Sequence, residues 1–105
     1  MGLFDFLRFG KRKAMMEEAI KNGAIIIDVR SQGEYQGGHV EGSTNIPLNT
    51  IPNRLKDLKA KGKAIIFCCA SGARSGMATS QARSFGIEAY NGGGWMSLNG
   101  ILQSA

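Results

Sequence analysis

One segment of the chain combines a cysteine with small residues and an arginine in a way that suits sulfur chemistry. The segment consists of Cys69, Ala70, Ser71, Gly72, Ala73, Arg74 and Ser75. It joins an apolar run typical of a buried strand to a predicted helix, so backbone N–H groups and the positive end of the helix dipole would point at the sulfur. Such a cradle stabilises a thiolate or a bound anion. Small side chains are needed because larger ones would keep the backbone away from the sulfur.

The activation of Cys69 is expected to come from this loop. Arg74 offers a planar guanidinium suited to an oxyanion, and it either grips the substrate or braces the loop. No histidine or acidic residue adjoins Cys69 in the sequence, so a cysteine–histidine pair is not indicated. We therefore predict that residues 70–75 bind a small anionic donor and stabilise charge on the sulfur.

The rest of the chain predicts an α/β fold that places this loop at one edge of a sheet. Apolar runs at residues 24–29 and 64–68 predict buried strands, with shorter extended pieces at 40–47 and 88–90. Helices are predicted at residues 14–22, after Ser31, after Asn49 or Thr50, from Ser75 to about residue 85, and at 95–102. This alternation indicates a mostly parallel sheet with helices on both faces. Ligands bind at the carboxyl ends of such strands, where Asp28 and Cys69 fall.

Four separated motifs resemble the rhodanese superfamily. They are the loop from Cys69 to Arg74, then Ile27-Asp28-Val29-Arg30, then Glu34-Tyr35 with Gly38-His39-Val40-Glu41-Gly42-Ser43, and Asn45-Ile46-Pro47. The resemblance covers residues 24–100 and implies the three-layer rhodanese-like fold. It also implies that Cys69 takes a sulfane sulfur from a donor such as thiosulfate, becomes a persulfide, and passes the sulfur to cyanide or a thiol. Asp28 and Arg30 would support the loop.

Three other functions remain as alternatives. Phosphatases of this fold carry one more residue between cysteine and arginine, so the six-residue loop favours sulfur transfer over phosphate chemistry. A persulfide carrier serving a partner protein and a non-catalytic binding module are the other two. The presence of Cys69, Gly72, Arg74 and Ser75 favours activity over the binding module, whereas the sequence does not separate an enzyme from a carrier.

Several other residues have simpler structural interpretations. Cys68 should point away from the loop as a buried inert thiol, rather than act as a resolving partner. His39 is interpreted as a hydrogen-bonding residue of a turn. We expect no cofactor and no metal, because adjacent cysteines chelate poorly. The glycine run at residues 92–94 should let the backbone pass close to the active site, with Trp95 in the core or at its rim.

Composition and charge limit the location and the partners. The 105 residues suit one soluble domain, which we divide into a basic and apolar segment at 1–13, either frayed or packed on the domain, and a rhodanese-like domain at 14–105. Two cysteines are too few for a disulfide framework, so a cytoplasmic location is expected. The net charge of +5 suits small anions, and we predict neither nucleic-acid binding nor membrane association. A weak interfacial anchor at residues 1–10 is the minor alternative.

Overall fold

A parallel sheet forms the middle layer of the molecule. The computed structural model describes residues 3–104, and the side chains of residues 10–103. Within this part of the chain the strands are β1 (Ile25–Asp28), β2 (Thr44–Asn45), β3 (Ile65–Cys69) and β4 (Ala89–Gly94). They lie in the order β2-β1-β3-β4, and each neighbouring pair is parallel. The two central strands are therefore β1 and β3, which carry the apolar runs of the sequence.

Helices cover both faces of the sheet. They are α1 (Leu3–Lys21), α2 (Gln32–Gln36), a 3-10 helix (Leu48–Arg54) that continues into α3 (Leu55–Ala60), α4 (Ala73–Ser84) and α5 (Trp95–Ser104). None of the helices in the described chain is both long enough and apolar enough to cross a bilayer.

The alternation of side chains along β3 divides the core into two halves. Ile65, Phe67 and Cys69 belong to the half that includes residues of the 3-10 helix, α3 and α4. Ile66 and Cys68 belong to the half that includes residues of α1 and α5. All five residues are at most 1% exposed, because β3 is covered on both faces. The predicted three-layer α/β fold is confirmed, and Cys68 and Cys69 point to opposite sides of the sheet.

The start of the chain differs from its prediction. Helix α1 begins at Leu3 and includes residues 3–9, whereas the sequence predicts a helix only from residue 14. No proline interrupts this region, and extending an existing helix is easier than nucleating a new element. The division after residue 13 stays a prediction, although α1 runs across it. The hypothesis of an interfacial anchor depends on residues 1 and 2 and on the side chains of residues 3–9, which lie outside the described part of the structure.

Other element boundaries also shift. The helix expected after Asn49 or Thr50 begins earlier, at Leu48 and as a 3-10 helix. The extended piece at residues 40–47 is a strand only at Thr44–Asn45. Helix α4 starts two residues before Ser75, because Gly72 adopts a φ of +104° that ends the loop, and the Gly76 N–H then bonds to the Gly72 carbonyl. Strand β4 includes the glycines that were expected to follow it.

Candidate active site

Cys69 lies at the carboxyl end of β3, with its sulfur inside the turn that leads into α4. Its Sγ accepts the backbone N–H of Gly72 at 3.0 Å and that of Ser75 at 3.3 Å, and it lies 3.3 Å from Ser75 Oγ. Burial raises the pKa of the Cys69 thiol, but hydrogen bonds from Ser75, Gly72 and Ser71 outweigh burial, so the pKa is lowered. The geometry therefore favours a thiolate that is almost inaccessible to water.

Close packing of the glycines against the loop holds this turn in place. A Cβ on Gly94 would lie 2.8 Å from the carbonyl oxygen of Ala70, and one on Gly72 would lie 3.5 Å from Gly93 Cα. Strand β4 also carries one extra residue, Gly92, between its pairs with Phe67 and Cys68 of β3. The glycine run brings the backbone close to the active site, as the sequence predicts.

Arg74 braces the loop. Its two terminal nitrogens donate to the Glu34 carboxylate at 2.8 and 3.0 Å, and this contact fits the bracing role. The side chain of Arg74 and, to a lesser degree, the backbone of Ser31 hold the pKa of Glu34 down at about 2. Glu34 is thus ionised at any physiological pH and ties α4 to the start of α2.

Asp28 and Arg30 form a buried ion pair beneath this brace. Arg30 Nη2 lies 2.7 Å from Asp28 Oδ2, and the two residues are 4% and 0% exposed. Arg30 also donates to the carbonyls of Glu34 and Gly38 and lies 4.9 Å from the centre of the Trp95 ring. Their contact with the loop is indirect, through Glu34, which fits the supporting role that the resemblance implies.

Asn91 is the residue of this site that the sequence analysis missed. Its Oδ1 accepts the Ser75 hydroxyl at 2.7 Å and the Gly93 N–H at 2.9 Å, and its Nδ2 donates to the Gly72 carbonyl at 3.1 Å. Asn91 therefore joins β4 to both ends of the turn around Cys69. The signal available in the sequence was a polar side chain directly before a glycine run, at the carboxyl end of a strand.

Cys68 faces the other half of the core. Burial, together with the nearby charge of Asp28, raises the pKa of the Cys68 thiol to about 12. It is therefore a neutral thiol at physiological pH, directed away from Cys69 by the alternation of side chains along β3. These features favour the inert role for Cys68.

His39 is held by its own turn. Its Nδ1 lies 2.7 Å from the Tyr35 carbonyl oxygen, and its ring stacks on that of Tyr35 with 3.8 Å between centroids. These contacts agree with a structural role. Among the described residues, no three histidine, cysteine or acidic side chains come together in a way that could hold a metal ion.

Comparisons with known proteins agree with this geometry. The family model of the rhodanese-like domain matches residues 12–98. YqhL of Bacillus subtilis is 34% identical over 97 residues, which are 88% of this chain and 76% of YqhL. A tRNA sulfurtransferase of Thermoplasma acidophilum is 33% identical over 75 residues, which are 71% of this chain but only 15% of that protein.

Solved structures give the same result. A rhodanese-related protein from Thermoplasma volcanium superposes with a TM-score of 0.69 at 30% identity, covering 82% of this chain and 85% of that one. A rhodanese with anions from E. coli superposes with a TM-score of 0.64 at 32% identity, covering 70% and 89%. The chain therefore belongs to the rhodanese-like domain family.

Proposed function

We propose that the protein is a sulfurtransferase that carries sulfur as a persulfide on Cys69. The observation that carries this proposal is the position of Cys69 Sγ, which is buried and accepts the N–H groups of Gly72 and Ser75. A cradle of fixed N–H donors stabilises negative charge on sulfur without having to reorganise during the reaction. Membership of the rhodanese-like family supports the same chemistry.

The reaction proceeds in two transfers. The Cys69 thiolate attacks the outer sulfur of an anionic donor such as thiosulfate. A bond forms between the two sulfur atoms while the donor's own sulfur–sulfur bond breaks, and sulfite leaves with that electron pair. Cyanide or a thiolate then attacks the outer sulfur of the persulfide, and Cys69 leaves as a thiolate. The loop thus returns to its starting state.

The hydrogen-bonding pattern around Cys69 fits this mechanism. Within the described part of the chain, Cys69 Sγ has its hydrogen-bond partners in Ser75, Gly72 and Ser71 and in no histidine or carboxylate. Attack on thiosulfate needs a thiolate but no proton donor for the leaving sulfite, and the lowered pKa of Cys69 raises the fraction of thiolate. The preference for a small anionic donor follows from the same N–H groups.

A second candidate is a persulfide carrier that delivers sulfur to a partner protein. The similarity to part of a tRNA sulfurtransferase favours it, because a domain of this type then occurs within a larger sulfur-transferring protein. Ala70 and Ser71, at the tip of the loop, are exposed and leave room for a partner. We place both candidates in the cytoplasm, where thiols stay reduced.

The test is to incubate the purified protein with thiosulfate and measure its intact mass. The wild type and a Cys68→Ala variant should each gain one sulfur atom, whereas Cys69→Ser should gain none, because only Cys69 lies in the cradle. Adding cyanide should remove the sulfur and release thiocyanate over many turnovers.

Two other outcomes have definite meanings. Loading by a low-molecular-weight persulfide but not by thiosulfate would establish the carrier in place of the enzyme. Failure of both donors to load Cys69 would contradict sulfur transfer altogether, and the binding module would then be the better interpretation.

A further inference from the structure

The hydroxyl group of Ser75 lies between two acceptors that compete for its proton. Its oxygen is 3.3 Å from Cys69 Sγ and 2.7 Å from Asn91 Oδ1. A hydroxyl has one proton to donate, so Ser75 Oγ donates to only one acceptor at a time. Ser75 is fully buried, and the choice is therefore made between these two groups and not between either group and water.

The side-chain amide of Asn91 is fixed with its oxygen toward Ser75. Asn91 Nδ2 donates to the Gly72 carbonyl, and Oδ1 accepts the Gly93 N–H. Turning the amide over would place its oxygen against the Gly72 carbonyl and its NH₂ against the Gly93 N–H, which loses both bonds. The main-chain oxygen of Asn91 also accepts a hydrogen bond from Arg12 at 2.8 Å. Asn91 thus presents a permanent acceptor to Ser75.

We propose that Asn91 is a positioning residue that sets how readily Cys69 ionises, by holding the proton of the Ser75 hydroxyl. When Cys69 is a thiol, its S–H donates to Ser75 Oγ and Ser75 donates to Asn91. When Cys69 releases its proton to solvent, the charged sulfur becomes the stronger acceptor and the Ser75 hydroxyl turns to it. Asn91 Oδ1 then keeps the Gly93 N–H, so it is not left without a partner.

This role deepens the proposed function, because it rests on a Cys69 thiolate as the attacking group. In the sulfur-transfer cycle the charge moves from Sγ to the outer sulfur when the persulfide forms. The Ser75 hydroxyl is then free to return to Asn91. Asn91 would therefore favour the uncharged Sγ, and it makes the thiolate more nucleophilic than a fully stabilised one.

Other charged groups surround Cys69, and they are the same in all variants at Asn91 and Ser75. Arg74 on α4 is paired with Glu34, and Cys68 remains a neutral thiol. Among the described side chains, the remaining charges near the site are Arg12 on α1 and the Asp28–Arg30 pair that begins on β1. Their contributions to the pKa of Cys69 cancel between variants that differ only at Asn91 and Ser75.

Removal of the acceptor gives a distinctive direction of change. In Asn91→Ala the Ser75 hydroxyl has only the sulfur left to bond, so the thiolate is favoured and the pKa of Cys69 falls. Mere loosening of the loop would act in the opposite direction, because it would withdraw the N–H groups of Gly72 and Ser75 from the sulfur. The sign of the shift therefore separates a positioning role from a structural one.

The experiment measures iodoacetamide alkylation of Cys69 against pH, in a Cys68→Ala background so that one thiol reacts. Asn91→Ala should lower the pKa of Cys69 enough to raise the thiolate fraction about fivefold at pH values below it, which corresponds to the free energy of one neutral hydrogen bond. Alkylation should speed up by about two- to threefold, because the less basic thiolate is also less nucleophilic. Ser75→Ala should raise the pKa, and adding Asn91→Ala to Ser75→Ala should leave it there. A raised or unchanged pKa in Asn91→Ala, or an equal shift in both backgrounds, would overturn the proposal.

If Asn91→Ala does not fold, a second variant, Asn91→Asp, tests the same proposal. Asn91→Asp keeps the size of the side chain and supplies a stronger acceptor to Ser75, at the loss of the bond that Nδ2 donates to the Gly72 carbonyl, so it should raise the pKa of Cys69. Part of this rise is repulsion between like charges, and that part survives in Ser75→Ala. The proposal requires the rise to be larger when Ser75 is present, and an equal rise in both backgrounds refutes it.

The two proposals fail in different ways. Alkylation needs no sulfur donor, so the predicted pKa shifts without any loading by thiosulfate or a persulfide would refute sulfur transfer and leave the role of Asn91 standing. Normal loading with no dependence of the Cys69 pKa on Asn91 would refute the role of Asn91 and leave sulfur transfer standing.

Discussion

At the scale of single residues, Arg74 shows how one contact selects between two roles. The sequence allows Arg74 to grip a substrate or to brace the loop, and the Glu34 carboxylate favours the brace by accepting from both terminal nitrogens. A bidentate pair of this kind fixes the orientation of the guanidinium as well as its position.

Substituting Glu34 tests this brace. Glu34→Gln removes the charge that holds Arg74, so loading of Cys69 by thiosulfate should slow by about three- to tenfold, while the melting temperature should change little because the ion pair is exposed. Ser31→Ala is the matched control, since it removes the capping contact of α2 but leaves the carboxylate on Arg74. Equal loading rates in Glu34→Gln and Ser31→Ala would show that the brace is dispensable.

The pH dependence of this ion pair has a definite sign. The pKa of Glu34 lies below its ordinary value, at about 2, so the carboxylate is charged above that pH and the pair is lost only as the pH falls through it. The pH profile of loading should therefore carry an inflection from Cys69 below the pH at which an ordinary thiol titrates, and Glu34 should contribute none in the physiological range.

At the scale of elements, the glycines of β4 support the loop, because they let the backbone of the strand pass close to it. Gly94→Ala would place a Cβ 2.8 Å from the Ala70 carbonyl oxygen, and backbone cannot yield as the end of a long side chain can. We expect at least a tenfold slower loading of Cys69 and a loss of about 1–3 kcal/mol in the free energy of unfolding. The matched control is Gly100→Ala on α5, which meets no atom within 4 Å and should load normally. Normal loading by Gly94→Ala would show that the loop tolerates displacement.

The elements also show what the sequence could predict. The central strands were found because a strand covered on both faces is apolar without interruption, as Ile65–Cys69 is. The Ser31–Glu34 capping box was found because both partners lie within one helical turn. Asn91 was missed because its contacts depend on the register of β4, including the extra Gly92, which pairs residues far apart in the chain.

Two other features of the structure were not predicted from the sequence. The ion pair of Arg74 with Glu34 joins residues 40 positions apart, and no local pattern reports such a contact. Residues 3–9 extend a helix that the sequence predicts only from residue 14. Local patterns therefore located the cysteine and its loop, whereas the bracing contacts needed the fold.

At the scale of the whole molecule, the two faces of the sheet have different roles. Cys69 and its loop face the half of the core that contains α3 and α4, whereas Cys68 belongs to the half covered by α1 and α5. The buried Asp28–Arg30 pair lies at the carboxyl end of β1, and Arg30 lies against Trp95 of α5. Stability and reactivity should therefore respond to different substitutions.

Asp28→Asn tests this separation. It leaves the buried Arg30 without a charged partner, and the free energy of unfolding in urea should fall by about 3 kcal/mol or more. In the fraction that remains folded, the alkylation rate of Cys69 should match that of the wild type, because the hydrogen bonds that link the Asp28 side chain to the loop run through Arg30 and Glu34. The double variant Asp28→Asn with Arg30→Met removes the stranded charge and should regain part of the lost stability. An Asp28→Asn variant that is as stable as the wild type but alkylates more slowly would place Asp28 in the chemistry of the loop and contradict its supporting role.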